Sequence, residues 1–229
     1  MDTKPTKVLC VNGSPRGAGN SAKMLRQLVT HVYEFGGEAE TIHLARTELF
    51  NCEGCYSETR DGSKCVSPCK HQHDSTNSIL EKIIAADALV LATPVYWAGA
   101  SSLIHSLLEK MTSVENNRCQ ITKEIGREPF MGKPCALLSS QEGDGSSMAL
   151  SQMSWALNNM GFMVIPCGMI FKPAILNSLL VRTGLRVLQE TKFECIDNWI
   201  RLAARNLVML PKLTQEHSFN DYKVSEHRC

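Results

Sequence analysis

Hydrophobic and polar positions follow two rhythms along this chain. Apolar runs at residues 7–12, 88–92, 135–139 and 162–165 show no polar alternation, which suits strands buried on both faces. Residues 38–44 predict one more strand. Residues 21–35 place Met24, Leu25, Leu28, Val29 and Val32 at the spacing of one helix face, and Gly36-Gly37 ends that helix. Residues 79–86, 101–114 and 148–160 predict three further helices, and 179–210 is helical again, in two pieces joined near Gly184. Residues 46–77 have no period and read as a long functional loop. Residues 115–132 are polar and irregular, an insertion over the sheet edge.

Strand and helix alternate as far as residue 171, which predicts an α/β fold with helices on both sides of a parallel sheet. Five strands fit a flavodoxin-like three-layer sandwich with a five-stranded parallel sheet better than a six-stranded Rossmann sheet. Neither a repeat nor a linker divides the chain. A single domain is therefore expected over residues 1–211, with a cysteine-rich loop at 46–77, a helical extension at 179–211 and a polar tail at 212–229.

Of 229 residues, 43% are hydrophobic and 21% charged, ordinary globular values that exclude disorder for the bulk of the chain. Lys and Arg number 24 against 23 Asp and Glu, a net charge of +1. That balance argues against a dedicated nucleic-acid binder and against a polybasic membrane anchor. No apolar run approaches the roughly 18 residues that span a bilayer. Residues 1–7 lead straight into a strand, without the apolar stretch of a signal peptide. A cytoplasmic protein is expected, and in a reducing compartment its 10 cysteines read as thiols, metal ligands or redox groups before disulfides.

In an open parallel sheet the ligand lies outside the carboxyl ends of the strands, where the strand order reverses. Three loops fall there. Residues 12–21 combine a helix N-terminus with the hydroxyls of Ser14 and Ser21, the Asn20 amide and the Arg16 guanidinium, all donors for phosphate oxygens. The Gly17-x-Gly19-x-x-Ala22 run starts too far beyond the strand for a dinucleotide fingerprint, and the Gly-Lys-Ser/Thr of a P-loop is missing. In the second loop, residues 93–100, Pro94 stiffens the exit from a strand. Tyr96 and Trp97 either stack on a planar heteroaromatic ring or pack a neighbouring helix or subunit. The third loop, residues 139–147, has small polar residues and glycines that suit either close backbone contact with a ligand or a simple solvated turn. Together the loops describe a phosphate at one end and a flat ring at the other.

Gly-Ser-Pro-Arg-x-x-Gly-Asn-Ser at 13–21, followed by Thr-Pro-Val-Tyr-Trp at 93–97, resembles the NAD(P)H-dependent FMN reductases of the flavodoxin-like superfamily. The resemblance covers residues 6–170 and implies that the domain binds FMN. It implies that Ser14, Arg16, Asn20 and Ser21 hold the FMN phosphate and that Pro94, Val95, Tyr96 and Trp97 line the isoalloxazine ring. It implies also that Ser140, Gln141, Gly143 and Gly145 close over the ring, that NAD(P)H is the co-substrate, and that the protein is a homodimer or homotetramer.

Cys52-x-x-Cys55 and Cys65-x-x-x-Cys69, with His71 and His73 behind them, are candidates for a metal site. Four thiolates suit an iron–sulfur cluster or tetrahedral zinc, and unligated or redox-active thiols are the third reading. The loop resembles the cluster motif of the iron–sulfur flavoproteins, a branch of the same family, except that Glu58 stands where their third cysteine follows the second. Cys10, Cys135 and Cys167 read as core, Cys119, Cys195 and Cys229 have no evident partner, and His31 and His43 read as surface or satisfied positions.

The expected function is FMN-dependent oxidation of NAD(P)H with reduction of a quinone, flavin or similar small-molecule acceptor by ping-pong turnover. The flavin carries the chemistry, so no catalytic acid–base residue is expected. Two rivals stand beside it: a flavin electron-transfer protein, with or without a cluster, that does not oxidise NAD(P)H itself, and a flavodoxin-like redox sensor without turnover.

Overall fold

The computed structural model describes residues 4–70, 73–141, 144–173 and 187–216. Its strands are β1 (Lys7–Asn12), β2 (Glu38–His43), β3 (Ala88–Pro94), β4 (Pro134–Gln141) and β5 (Met163–Pro173). They form one parallel sheet in the order β2-β1-β3-β4-β5. The helices are α1 (Asn20–Glu34), α2 (Thr76–Ala85), α3 (Ser102–Asn116), α4 (Arg118–Ile125), α5 (Ser146–Asn159) and α6 (Val187–Glu216). This is the flavodoxin-like order, with its reversal between β1 and β3.

Alternate strand positions feed two separate cores, which is why the strand sequences are apolar throughout. Val8, Cys10, Val90, Ala92, Ala136 and Leu138 face a layer built by Met24, Leu25, Leu28 and Val32 of α1 and by Ile200, Ala203, Ala204, Leu207 and Val208 of α6. Leu9, Val11, Leu89, Leu91, Cys135 and Leu137 face the opposite layer, built by α2, α3 and α5. Three layers result. Burial pushes the Cys10 and Cys135 thiols up to about 12, so both are core groups without nucleophilic character.

Three stretches depart from the pattern read in the sequence. The segment expected to be irregular contains α4, in which Ile121 alone is buried and Ile125 is exposed; two isoleucines in eight residues give only a weak helical period. β5 runs on from the expected 162–165 to Pro173, past a register shift opposite Cys135 and Leu137. Pro166 and Gly168 sit inside it and mask the strand, as residues at bulges do. α6 continues through Pro211 to Glu216, whereas the expected joint near Gly184 lies outside the described residues, as do His71, Gly143 and residues 217–229. Cys119, expected to be unpartnered, is disulfide-bonded. Among the described residues no helix is long and apolar enough to cross a membrane.

Candidate functional site

β1 ends at the fully buried Asn12, and the turn after it is built for close approach. A Cβ on Gly13 would lie 2.3 Å from Ile104 Cγ1, so only glycine lets α3 pack against the turn. The Gly13 amide donates to Ala92 O (2.8 Å), and Ser101 Oγ, capping α3, donates to Gly13 O (2.7 Å). Asn12 Oδ1 accepts the Ser14 amide at 2.9 Å. Ser14 Oγ accepts the Arg16 amide and donates to the Arg16 carbonyl, each at 3.2 Å. α1 then starts from Gly19 with no side-chain cap and no acidic residue in its first turn. Its first-turn amides and the positive end of its dipole are left for an anion. Arg16 is exposed above the loop and Asn20 is half-buried.

The second loop is a two-residue hairpin. Tyr96 and Gly99 exchange both backbone hydrogen bonds at 3.0 Å, and Trp97 and Ala98 between them have φ of 51° and 60°. Such turns favour Gly and Asn, because a side chain in the left-handed region costs roughly 1–2 kcal/mol. Trp97 is 103% exposed and Tyr96 46%. The Trp97 indole therefore does not repay that strain by packing against the described residues. Strained backbone carrying an unpacked indole is a feature of binding sites, not of cores.

The third loop binds the other two. Ser140 Oγ lies 2.7 Å from Ser21 Oγ at the start of α1, and Ser140 O accepts the Val95 amide at 2.9 Å. Gly145, at φ 104°, would place a Cβ 2.7 Å from Ala98 Cα. Gln141 Oε1 accepts the Ser146 amide (2.7 Å), and Ser139 Oγ donates to Ser146 Oγ (2.9 Å), so both fix the start of α5. All three loops thus meet at the carboxyl ends of β1, β3 and β4, bringing together Ser14, Arg16, Asn20, Ser21, Pro94 to Trp97, Ser140, Gln141 and Gly145.

Arg26 and Arg46 beside the 13–21 loop were not read from the sequence, and Asn12 and His43 were not read as partners in it. Asn12 pairs in register with His43, and Asn12 Nδ2 lies 3.0 Å from His43 Nδ1. Arg26 Nη1 donates to Gly17 O at 3.2 Å, and Arg46 Nη2 lies 3.1 Å from where a Gly17 Cβ would be. Burial, then the charges of Arg46 and Arg26, hold the His43 imidazole below its ordinary pKa. The parallel pairing of β1 with β2 is the signal that could have found them, since it sets the end of β2 beside the end of β1.

Cys52, Cys55, Cys65 and Cys69 line one cavity of about 360 Å³, together with Lys64, Lys70, Glu109 and Lys110. Burial, then the neighbouring Cys52, Cys55 and Cys69, push the Cys65 thiol up. Cys52 Sγ accepts the Gly54 amide at 3.4 Å. Glu58 is exposed and pairs with Lys64 at 2.6 Å. Among the described residues no three Cys, His, Asp or Glu side chains converge on a single-ion position. The loop's neck is closed by Asp74, whose carboxylate accepts from the amides of Phe50 (3.0 Å) and Thr76 (2.9 Å) and from Lys110 Nζ (3.0 Å). Asn116 and Asn117 donate to Cys65 O, and Asn77 exchanges two hydrogen bonds with the Cys69 backbone.

An iron-sulfur flavoprotein of Archaeoglobus fulgidus is 26% identical over 167 residues, 73% of this chain and 75% of that protein. An iron-sulfur flavoprotein of Methanocaldococcus jannaschii is 36% identical over 104 residues, 45% of this chain and 51% of its own length. The crystal structure of RosB with bound 8-demethyl-8-formylriboflavin-5′-phosphate superposes with a TM-score of 0.67 at 21% identity, over 92% of this chain and 81% of RosB. At that identity it attests the fold. The NADPH-dependent FMN reductase family matches residues 6–174, and the chain belongs to that family as an NAD(P)H-dependent FMN oxidoreductase.

Proposed function

We propose that the chain, as one FMN-binding domain over residues 1–211, takes hydride from NAD(P)H and reduces a quinone, a flavin or a similar small acceptor by ping-pong turnover. FMN, when bound, would supply the two-electron chemistry between the nicotinamide and the second substrate. Ser14, Arg16, Asn20, Ser21 and the first turn of α1 hold the phosphate. Pro94, Val95, Tyr96 and Trp97 line the ring, and Ser140, Gln141, Gly143 and Gly145 close beside it. The observation that carries the reading is the three-loop junction at Ser140, with an uncapped helix start on one side and an open aromatic hairpin on the other. A homodimer or homotetramer in the cytoplasm, with a second copy beside the exposed Trp97, completes the proposal.

The test is a visible spectrum of anaerobically purified protein before and after NADPH or NADH. Two flavin bands that bleach on addition support the reading. Colourless protein that cannot be reconstituted with FMN overturns it.

The cysteine cavity favours a second component. Four thiols on one cavity, with the Lys70 ammonium beside Cys55, suit the negative charge of a cluster held by Cys52, Cys55, Cys65 and Cys69. A single zinc fits less well, because tetrahedral Zn–S bonds of about 2.3 Å need a convergence the described side chains do not have. A cluster supplies one-electron transfer, and with it the chain would serve as a flavin electron-transfer protein. Flavin that stays oxidised with NAD(P)H and reduces with dithionite would favour that role.

A further inference from the structure

We propose that His43 is a positioning residue for the phosphate loop: as a neutral imidazole it holds Asn12 in the orientation that shapes the turn at Ser14, and on taking up a proton it releases that turn and loosens FMN. The inference rests on the reading of residues 13–21 as the FMN phosphate site.

The hydrogen-bond directions leave one arrangement. The Ser14 backbone amide can only donate, so the Asn12 atom 2.9 Å from it is the carbonyl oxygen Oδ1. The other end of the same side chain is therefore the amide nitrogen, a donor, and it lies 3.0 Å from His43 Nδ1. Nδ1 must accept, which fixes the imidazole as neutral with its proton on Nε2. Asn12 is fully buried at the end of β1, with one of these partners at each end of its side chain, so neither end can turn to water. A proton on Nδ1 sets two donors against each other. Asn12 must then tilt, and the Ser14 amide loses its acceptor.

Ser14 in turn organises the loop through the two hydrogen bonds between its hydroxyl and the Arg16 backbone. The chain His43–Asn12–Ser14–Arg16 thus runs from the end of β2 to the backbone of Arg16, inside the loop expected to hold the phosphate. The charged groups facing His43 are Arg46, after β2, and Arg26 of α1, and both oppose the proton. Burial first, and then these two charges, hold the imidazole below its ordinary pKa and so favour its neutral form.

The experiment compares FMN dissociation constants, read by flavin fluorescence from pH 8 to pH 5, for the wild type and His43→Asn. The amide oxygen introduced in that variant can stand where Nδ1 stands, and it does not titrate. Wild type should lose about tenfold more affinity than the variant across that range, the worth of one buried hydrogen bond. The phosphate of FMN itself titrates near pH 6 in both proteins, so the difference isolates His43. Parallel pH profiles, or a wild type that tightens at low pH by pairing the imidazolium with phosphate, would overturn the proposal. A second readout needs no cofactor: nitrogen-15 shifts of the apoprotein should give His43 as the Nε2–H tautomer at pH 7.5, and an Nδ1–H tautomer overturns it. Arg16→Ala separates the two levels. If it leaves FMN affinity unchanged, the phosphate-loop reading fails; if it weakens FMN while the two pH profiles coincide, only the role of His43 fails.

Discussion

A Cβ on Gly145 would lie 2.7 Å from Ala98 Cα, so the loop before α5 rests on the backbone of the aromatic hairpin at a point that admits glycine alone. Gly145 also has φ 104°, where any side chain is strained. Gly145→Ala should therefore push the hairpin outward, at a cost of about 1–3 kcal/mol in stability. FMN affinity should fall by about tenfold or more, since a displacement of an ångström is enough to misplace a bound ring. A thermal melt and a fluorescence titration read both. Unchanged FMN affinity would show that the hairpin is not part of the ring site.

Trp97 allows stability and binding to be separated. Its side chain is fully exposed and its backbone is left-handed. Trp97→Gly should raise stability by about 1 kcal/mol, because glycine relieves the strain and no packing is lost. FMN binding should weaken, by about tenfold, through loss of the stacking surface. Ala98→Gly, at φ 60°, is the control: it should raise stability by a similar amount and leave FMN bound. A lower melting temperature for Trp97→Gly would mean that the indole is packed in solution, against a second copy of the chain.

The contrast between strands and loops explains what the sequence reveals. β1, β3 and β4 are legible because both of their faces are covered, which forces an unbroken apolar run on each. Ser14 and Trp97 are legible as candidates because a helix start and an exposed aromatic tip are local features. His43 and Arg46 are not, because their place beside the 13–21 loop depends on β2 pairing with β1, which sets His43 against Asn12, 31 residues away in the chain. The same holds for Lys110. On its helix it looks like one more surface charge, yet it is 2% exposed, and the partner that allows this, Asp74, lies on another loop.

That buried pair should govern the acid stability of the cysteine loop. Burial pushes the Asp74 carboxyl up, but the Thr76 side chain, the Phe50 and Thr76 amides and Lys110 outweigh it and hold the group at about 2, against an ordinary 3.8. A folded-state pKa below the unfolded one contributes stability above pH 3.8 and loses it as pH falls through 2; the amount is on the order of 2 kcal/mol. Lys110→Met leaves the carboxylate buried without its cation and should cost about 3–5 kcal/mol at neutral pH. Asp74→Asn should unfold more readily at pH 7 and show a shallower loss between pH 4 and 2 than the wild type. Denaturant melts across that range read the slope, and identical slopes would remove Asp74 from the account.

The four cysteines give the sharpest division between the two cofactor readings. They line a cavity formed by residues 52–70 and α3, and among the described residues the three loops that meet at Ser140 take no part in its lining. Changing Cys52 and Cys55 together to Ser should therefore abolish iron content and its broad absorbance in anaerobically purified protein, while the flavin bands remain. The thiols are replaced by poorer ligands of nearly the same size, so the loop, tied by Asp74, Asn77, Asn116 and Asn117, keeps its shape. The hydrogen bond from Ser106 Oγ to Asn51 Oδ1, at 3.2 Å, joins the neck of the loop to the first turns of α3. Flavin lost together with iron would mean that this joint couples the two sites. A wild type with neither iron nor zinc, whose Cys52 and Cys55 react with a thiol reagent in the folded state, would assign the cavity to free thiols and leave the flavin reaction standing alone.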